Sequence, residues 1–180
     1  MAAAPSSDAT GEAVRGLAVG SGFPDLELPD HAGNTRRLSE LAGEDPVLLT
    51  FYRGWWCPKE QAFFRQLVRF QDEVEVAYTR MVSVSVDPPE VESAFRAGLG
   101  ARWTFLSDAE RRYLDGLELR ETTDTSHNPY MPAAFVLRPD LEIASAYAGY
   151  WFWGRPTLAE LHRDLREVTR AVRDQWLPPL

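Results

Sequence analysis

The chain contains one thiol, Cys57, and the residues around it are of types that make sulfur reactive. Arg53 lies four positions before it, Lys59 two positions after it, and Glu60 three positions after it. Lys59 is also the only lysine in the chain. A thiolate is the nucleophile, whereas a neutral thiol is nearly inert, so positive charge close to Cys57 matters to any chemistry there. A single cysteine excludes an internal disulfide and a dithiol cycle run within one chain. Three histidines and one thiol also make a poor zinc ligand set. If Cys57 is oxidised, its reduction needs a thiol from outside, or Cys57 of a second copy. The plain alternative is that a free cysteine simply fills core space, which is what most do.

The elements that must hold these residues can be read along the chain. Pro46-Val47-Leu48-Leu49-Thr50-Phe51-Tyr52 is a short apolar run typical of a strand covered on both faces. After Cys57 comes a helical stripe of Phe63, Leu67, Phe70 and Val74. Pro58 suits the first helical position, because the N–H it lacks would have been unpaired there. Cys57 is therefore expected at the helix N-terminus, where free N–H groups and the helix dipole favour negative charge on sulfur. Strands are also expected at Met81–Val86, Trp103–Leu106, Ala133–Leu137 and Glu142–Tyr147, with a hairpin around Pro29–Asn34 and a helical turn at Leu38–Leu41. Asp87–Glu90, Ser107–Glu110 and Thr157–Glu160 each place a short polar residue three before a Glu, the pattern of a capping box. Gly98-Leu99-Gly100 reads as a helix stop rather than a phosphate loop. Strands alternating with helices, then a strand pair and a last helix, give an α/β sandwich with a central mixed sheet. Residues 1–21 are rich in Ala, Ser and Gly and read as a flexible arm, leaving one domain over 22–176.

Composition narrows the partners. A net charge of -8 argues against nucleic acid or an anionic membrane, both of which require a basic face. No stretch reads as a secretory signal or a membrane span, so a cytoplasmic location is expected. Nothing in the sequence calls for a cofactor.

Phe51-Tyr52-Arg53-Gly54-Trp55-Trp56-Cys57-Pro58 resembles the active-site loop of the thioredoxin-like redoxin superfamily, and more closely its peroxiredoxin-like, AhpC/TSA-type branch. Phe23–Leu26, Leu38–Leu41, Val82–Asp87 and Met131–Val136 match the same branch in the same order. The resemblance implies a thioredoxin-like sandwich. It makes Cys57 the peroxidatic cysteine, which attacks a hydroperoxide and becomes a sulfenic acid. It also makes Pro132 the proline, usually cis, that faces that cysteine. Typical members carry Pro and Thr seven and three residues before the cysteine, where this chain has Thr50 and Gly54. Alignment on Phe51-Tyr52 instead puts Arg53 at the Pro and shortens the loop by three residues. The family's second-strand Arg falls near Pro132 and is absent, which leaves Arg53 as the expected substitute donor. Where many redoxins have a second Cys this chain has Glu60, read here as a capping carboxylate, with a general-base role as the other reading.

Trp56, Pro58, Lys59, Glu60, His127 and Pro132 complete the expected pocket. His127, in the loop leading to Pro132, is either a proton donor or ligand contact, or simply a backbone-bonded loop residue. The aromatic cluster Tyr147, Tyr150, Trp151, Phe152 and Trp153 is read first as packing, second as a homodimer surface and third as a roof over the thiol. The leading functional expectation is a one-cysteine thiol peroxidase that takes hydroperoxides and is reduced by an external thiol or thioredoxin-type reductant. The alternatives are another thiol enzyme (thiol transfer or biosynthetic) and a redox-inactive binding module on the same fold.

Overall fold

A computed structural model describes residues 17–150 and 153–175. Most of the expected N-terminal arm, residues 1–16, lies outside the described residues. The last residues assigned to the arm are docked. Gly20 N donates to the Ile143 carbonyl at 2.8 Å, Ile143 N donates to that of Ser21 at 2.9 Å, and Leu17 packs on the core.

A hairpin, β1 (Glu27–Pro29) with β2 (Thr35–Arg37), leads into a short helix, α1 (Leu38–Ala42). The remaining elements are β3 (Val47–Phe51), α2 (Pro58–Val76), β4 (Arg80–Ser85), α3 (Pro89–Leu99), β5 (Thr104–Ser107), β6 (Ala133–Leu137), β7 (Ile143–Ala148) and α4 (Leu158–Val172). The five-stranded sheet has the order β5-β4-β3-β6-β7. β3, β4 and β5 run parallel, and β6 and β7 are antiparallel to their neighbours. This is the α/β sandwich with a mixed central sheet that the alternation of strands and helices predicts.

The period-two pleat of β3 divides the core. Val47, Leu49 and Phe51 face a layer built from Phe23, Leu26, Leu28, Leu38, Leu114 and Tyr130. Leu48 and Tyr52 face Phe63, Phe64, Leu67 and Phe70 of α2 and Leu161 and Leu165 of α4. Burial on both faces explains why β3 is apolar at four of its five positions.

Of the three expected capping boxes only one forms. Thr157 Oγ1 accepts from Glu160 N at 3.2 Å, and Glu160 Oε2 accepts from Thr157 N at 2.7 Å. At α3 the N-cap is Pro88, because the Asp87 carboxylate is engaged elsewhere. No helix follows Ser107. Its hydroxyl donates to the Asp87 carbonyl at 2.7 Å, and Asp108 accepts from the backbone of Arg112 and Tyr113 in a turn. Gly100 ends α3 in the left-handed conformation, as its sequence predicts.

Candidate active site at the start of helix α2

The C-terminal end of β3 runs directly into the thiol loop. Tyr52 continues the strand, its N–H donating to the Val84 carbonyl at 3.0 Å, and the chain then turns at Gly54. Gly54 has φ +146, and a Cβ there would fall 2.6 Å from Trp56 Nε1 and 3.1 Å from Asp87 Oδ2, so only glycine fits. The turn closes where Cys57 N donates to the Gly54 carbonyl at 3.2 Å. Cys57 is the N-cap of α2, with extended φ and ψ and Pro58 at the first helical position, as expected. The residue is only 3% exposed. Pro58 and Lys59 point outward and are exposed.

Glu60 lies in the first turn of α2, the place expected for a helix-capping carboxylate. It is buried, its side chain 1% exposed, and forms a two-pronged ion pair with Arg155, itself 8% exposed. Arg155 Nη2 donates to Oε1 at 2.7 Å and Nε to Oε2 at 3.0 Å. The same carboxylate accepts from Arg53 N at 3.2 Å, which ties the loop to the first turn of α2. A buried carboxylate needs a cation to offset its lost hydration, and Arg155 supplies it. No local pattern signals this pair, since 95 residues separate the partners and Arg155 belongs to the Gly-Arg-Pro link before α4.

Arg53 was expected to serve the thiol, but its Nη2 is committed to Glu121 at 2.9 Å and Asp124 at 3.0 Å. Its Nε is buried with no hydrogen-bond partner among the described residues. The guanidinium lies over Trp56, 4.9 Å from the ring centroid. His127 stacks on Trp56 at 4.0 Å and 19° and meets Asp124 through Nδ1 at 2.9 Å. Asp124 is thus shared by Arg53 and His127. Burial works to raise its pKa, but the hydrogen bonds and charge of His127, with Arg53, hold the carboxyl below its ordinary value. The structure therefore brings Arg53, Trp56 and His127 together with Glu121 and Asp124, which the sequence did not single out.

Pro132 reaches the same end of the sheet, since its neighbour Ala133 pairs with Phe51. The expected cis bond is absent: every peptide bond among the described residues is trans. The chain enters β6 from Tyr130, which bridges to Arg120, along an extended path that the trans form satisfies. Pro132 O accepts from Gly149 N at 3.2 Å, and Gly154 packs so closely that a Cβ would lie 1.8 Å from that oxygen. This close approach delivers Arg155 to the site. Thr50 plays no part there, since its hydroxyl lies inside the sheet 2.7 Å from that of Ser83.

Asp87 supports the loop from below. Its Oδ2 accepts from Trp55 N at 2.9 Å, and Gln61 Nε2 donates to the Trp55 carbonyl at 2.8 Å, so that peptide is held on both sides. Burial raises the Asp87 carboxyl above its ordinary pKa against the lowering effects of Trp55 N, Ser85 and His127. In the aromatic cluster, Trp151 and Phe152 lie outside the described residues. Tyr147 donates to Asp164 at 2.5 Å, and Tyr150 and Trp153 are exposed, Trp153 by 75%, so packing does not account for these last two. Among the described residues no group of His, Cys, Asp and Glu is placed to hold a metal, and no helix is long and apolar enough to cross a membrane.

Residues 19–146 match the AhpC/TSA family. A Mycobacterium tuberculosis protein provisionally named a peroxiredoxin, known from two strains, is 35% identical over 97 residues, which is 52% of this chain and 61% of that protein. The chain thus spans about three-fifths of the length of the curated relatives it matches. Among solved structures, the peroxidoxin BcpB from Mycobacterium tuberculosis superposes with a TM-score of 0.73 at 24% identity, covering 87% of this chain and 99% of that one. Peroxiredoxin 6 of Arenicola marina gives 0.74 at 15% identity, covering 91% and 81%. These structural likenesses establish the fold.

Proposed function

Since the chain belongs to the AhpC/TSA family over residues 19–146, we propose that it is a one-cysteine thiol peroxidase acting through Cys57. The observation that carries this reading is the placement of the only thiol as N-cap of α2, one turn from the buried Glu60–Arg155 pair. The Cys57 thiolate attacks the terminal oxygen of a hydroperoxide. A sulfur–oxygen bond forms, the O–O bond breaks, and the departing oxygen leaves as alcohol or water after taking up a proton. Sulfur is oxidised by two electrons to the sulfenic acid while the peroxide is reduced. The helix N-terminus favours the attacking anion. Arg155 brings fixed positive charge to the first turn of α2, and the buried Arg53 Nε–H, without a partner among the described residues, is the donor for charge developing on oxygen. Trp56, His127 and Pro132 shape the pocket around them.

The chain holds no second thiol, so an external thiol attacks the sulfenic sulfur and expels water, giving a mixed disulfide that a second external thiol opens. A small thiol or a thioredoxin-type protein fits that role, and the reducing environment it needs is that of the cytoplasm. The test is to mix reduced protein with stoichiometric hydrogen peroxide and follow Cys57 by mass and by stopped-flow tryptophan fluorescence, with Cys57→Ser as control. Formation of a sulfenic acid orders of magnitude faster than on a free thiol is expected. Oxidation at the free-thiol rate would refute the proposal.

A further inference from the structure

Two arginines reach the thiol pocket, and they are bound in opposite ways. Arg155 gives both Nε and Nη2 to the single carboxylate of Glu60, so that edge of its guanidinium is fully used. Arg53 gives Nη2 alone, and gives it to two carboxylates, Glu121 at 2.9 Å and Asp124 at 3.0 Å. Its Nε is buried without a hydrogen-bond partner among the described residues. An ion pair shaped only for stability would take the two-pronged form, which satisfies the Nε–H as well. A buried N–H left over is costly, and such a group calls for an explanation.

Glu121 enforces the end-on grip. It is 2% exposed, and only Oε2 meets Arg53. Its other oxygen, Oε1, accepts from Thr123 N at 2.7 Å and from Thr123 Oγ1 at 2.5 Å. Turning Oε1 toward Arg53 Nε would break both of these bonds. The loop that carries Glu121 is itself tied down. Glu121 N donates to the Pro129 carbonyl at 3.0 Å, and Arg111 Nη2 donates to the His127 carbonyl at 2.8 Å. Asp124 is the looser partner, 15% exposed and divided among Arg53, His127 and Ser126 N.

We propose that Glu121 is a positioning residue: fixed by Thr123, it holds Arg53 by Nη2 and so keeps the Nε–H free for the oxygen that leaves the peroxide. The inference rests on the reading of Cys57 as the peroxidatic thiol and of Arg53 as its donor. Two carboxylates on one guanidinium offset its charge. What Arg53 contributes is therefore a directed hydrogen bond in the transition state rather than a field that ionises the thiol. Both Glu121 oxygens must accept, so a glutamine there would set its NH2 against either Arg53 Nη2 or Thr123 N.

The experiment compares two reactions of Cys57 in the full chain. One is oxidation by hydrogen peroxide, followed by stopped-flow tryptophan fluorescence. The other is alkylation by iodoacetamide, followed by mass, which releases iodide and makes no use of a donor for a departing oxygen. Glu121→Gln is expected to slow oxidation roughly 10- to 100-fold, the usual cost of misplacing a transition-state donor, and to leave alkylation unchanged. Added to Arg53→Met, the same substitution should slow oxidation no further, because Glu121 acts through Arg53. Oxidation of Glu121→Gln at the parent's rate overturns the proposal. So does a parallel change in both reactions, the mark of a merely loosened fold, and so does a further loss in the Arg53→Met background. If Glu121→Gln does not fold, Glu121→Asp takes its place. It keeps the charge and both acceptors but draws the anchor back by one methylene, and undiminished oxidation then overturns the proposal in the same way. A parent that reacts with peroxide at the free-thiol rate refutes the peroxidase reading and this role with it. A fast parent matched by Glu121→Gln refutes the role of Glu121 alone.

Discussion

Arg155→Ala gives the most direct measure of how the site is held together. Among the described residues, the substitution leaves Glu60, 1% exposed, with only the side-chain hydrogen bond from Arg53 N at 3.2 Å in place of a two-pronged ion pair. Removing one partner of a buried pair typically costs about 3–5 kcal/mol, because the remaining charge stays desolvated. For a chain of this size each kcal/mol lowers the melting temperature by about 2–4 °C, so a drop of roughly 6–20 °C is expected by calorimetry or circular dichroism. The double variant Glu60→Leu/Arg155→Met replaces the pair with apolar groups of similar length and should recover most of that loss, since no buried charge remains. Both variants remove the cation from the first turn of α2, so both should react slowly with peroxide by stopped-flow fluorescence even though one is stable. That separation of stability from chemistry is the discriminating result. If Arg155→Ala melts within about 2 °C of the parent, the pair is not the desolvated one described and the argument built on it fails.

Other expectations concern the loop, the last helix and pH. Gly54→Ala forces a Cβ to within 2.6 Å of Trp56 Nε1 at φ +146, so a destabilisation of about 1–3 kcal/mol in urea titration and slower oxidation of Cys57 are expected. Thr157→Ala removes the one capping box that forms and should cost about 1 kcal/mol, leaving the peroxide rate unchanged. Burial of Glu92, on α3, makes stability depend on pH with a definite sign. Its folded value of about 8 lies above its ordinary 4.5, so across that window the folded chain keeps a proton that the unfolded chain has lost. Its contribution is complete below 4.5, is lost as pH rises through about 8, and changes no further above that. The slope approaches about 1.4 kcal/mol per pH unit at most. Denaturant titrations at pH 5.5, 7 and 8.5, values chosen to straddle that window, should show the decline in the parent and not in Glu92→Gln.

Local pattern sufficed where local chemistry decides the outcome. The buried run of β3, the Phe63-Leu67-Phe70-Val74 stripe, Pro58 at the first turn of α2 and the Thr157 box are all short-range signals, and each appears as read. The failures share a cause as well. Asp87 and Ser107 carry the same capping pattern as Thr157, but their polar atoms are drawn to Trp55 N and to the Asp87 carbonyl across the fold. Glu60 reads as a capping acid by its offset from Cys57, and only the arrival of Arg155 explains why it is buried. Glu121 and Asp124 lie 68 and 71 residues from Arg53, a distance at which sequence carries no pairing signal. The thiol and its helix were legible in the sequence, but the carboxylates and the second arginine that complete the site were not.

The close seating of Gly154 on Pro132, which delivers Arg155, also has a bearing on biosynthesis. As the polypeptide leaves the ribosome, Cys57 and Glu60 emerge first, and their cation follows 95 residues behind Glu60. Until then the nascent chain holds a carboxylate that resists burial, so the first turn of α2 has no partner to close on even where its Phe63, Leu67 and Phe70 stripe already packs against β3. Closure of the pocket is thereby deferred until almost the whole domain has been made. A fragment ending before Arg155 should therefore display an open, chemically ordinary thiol rather than a half-finished catalyst.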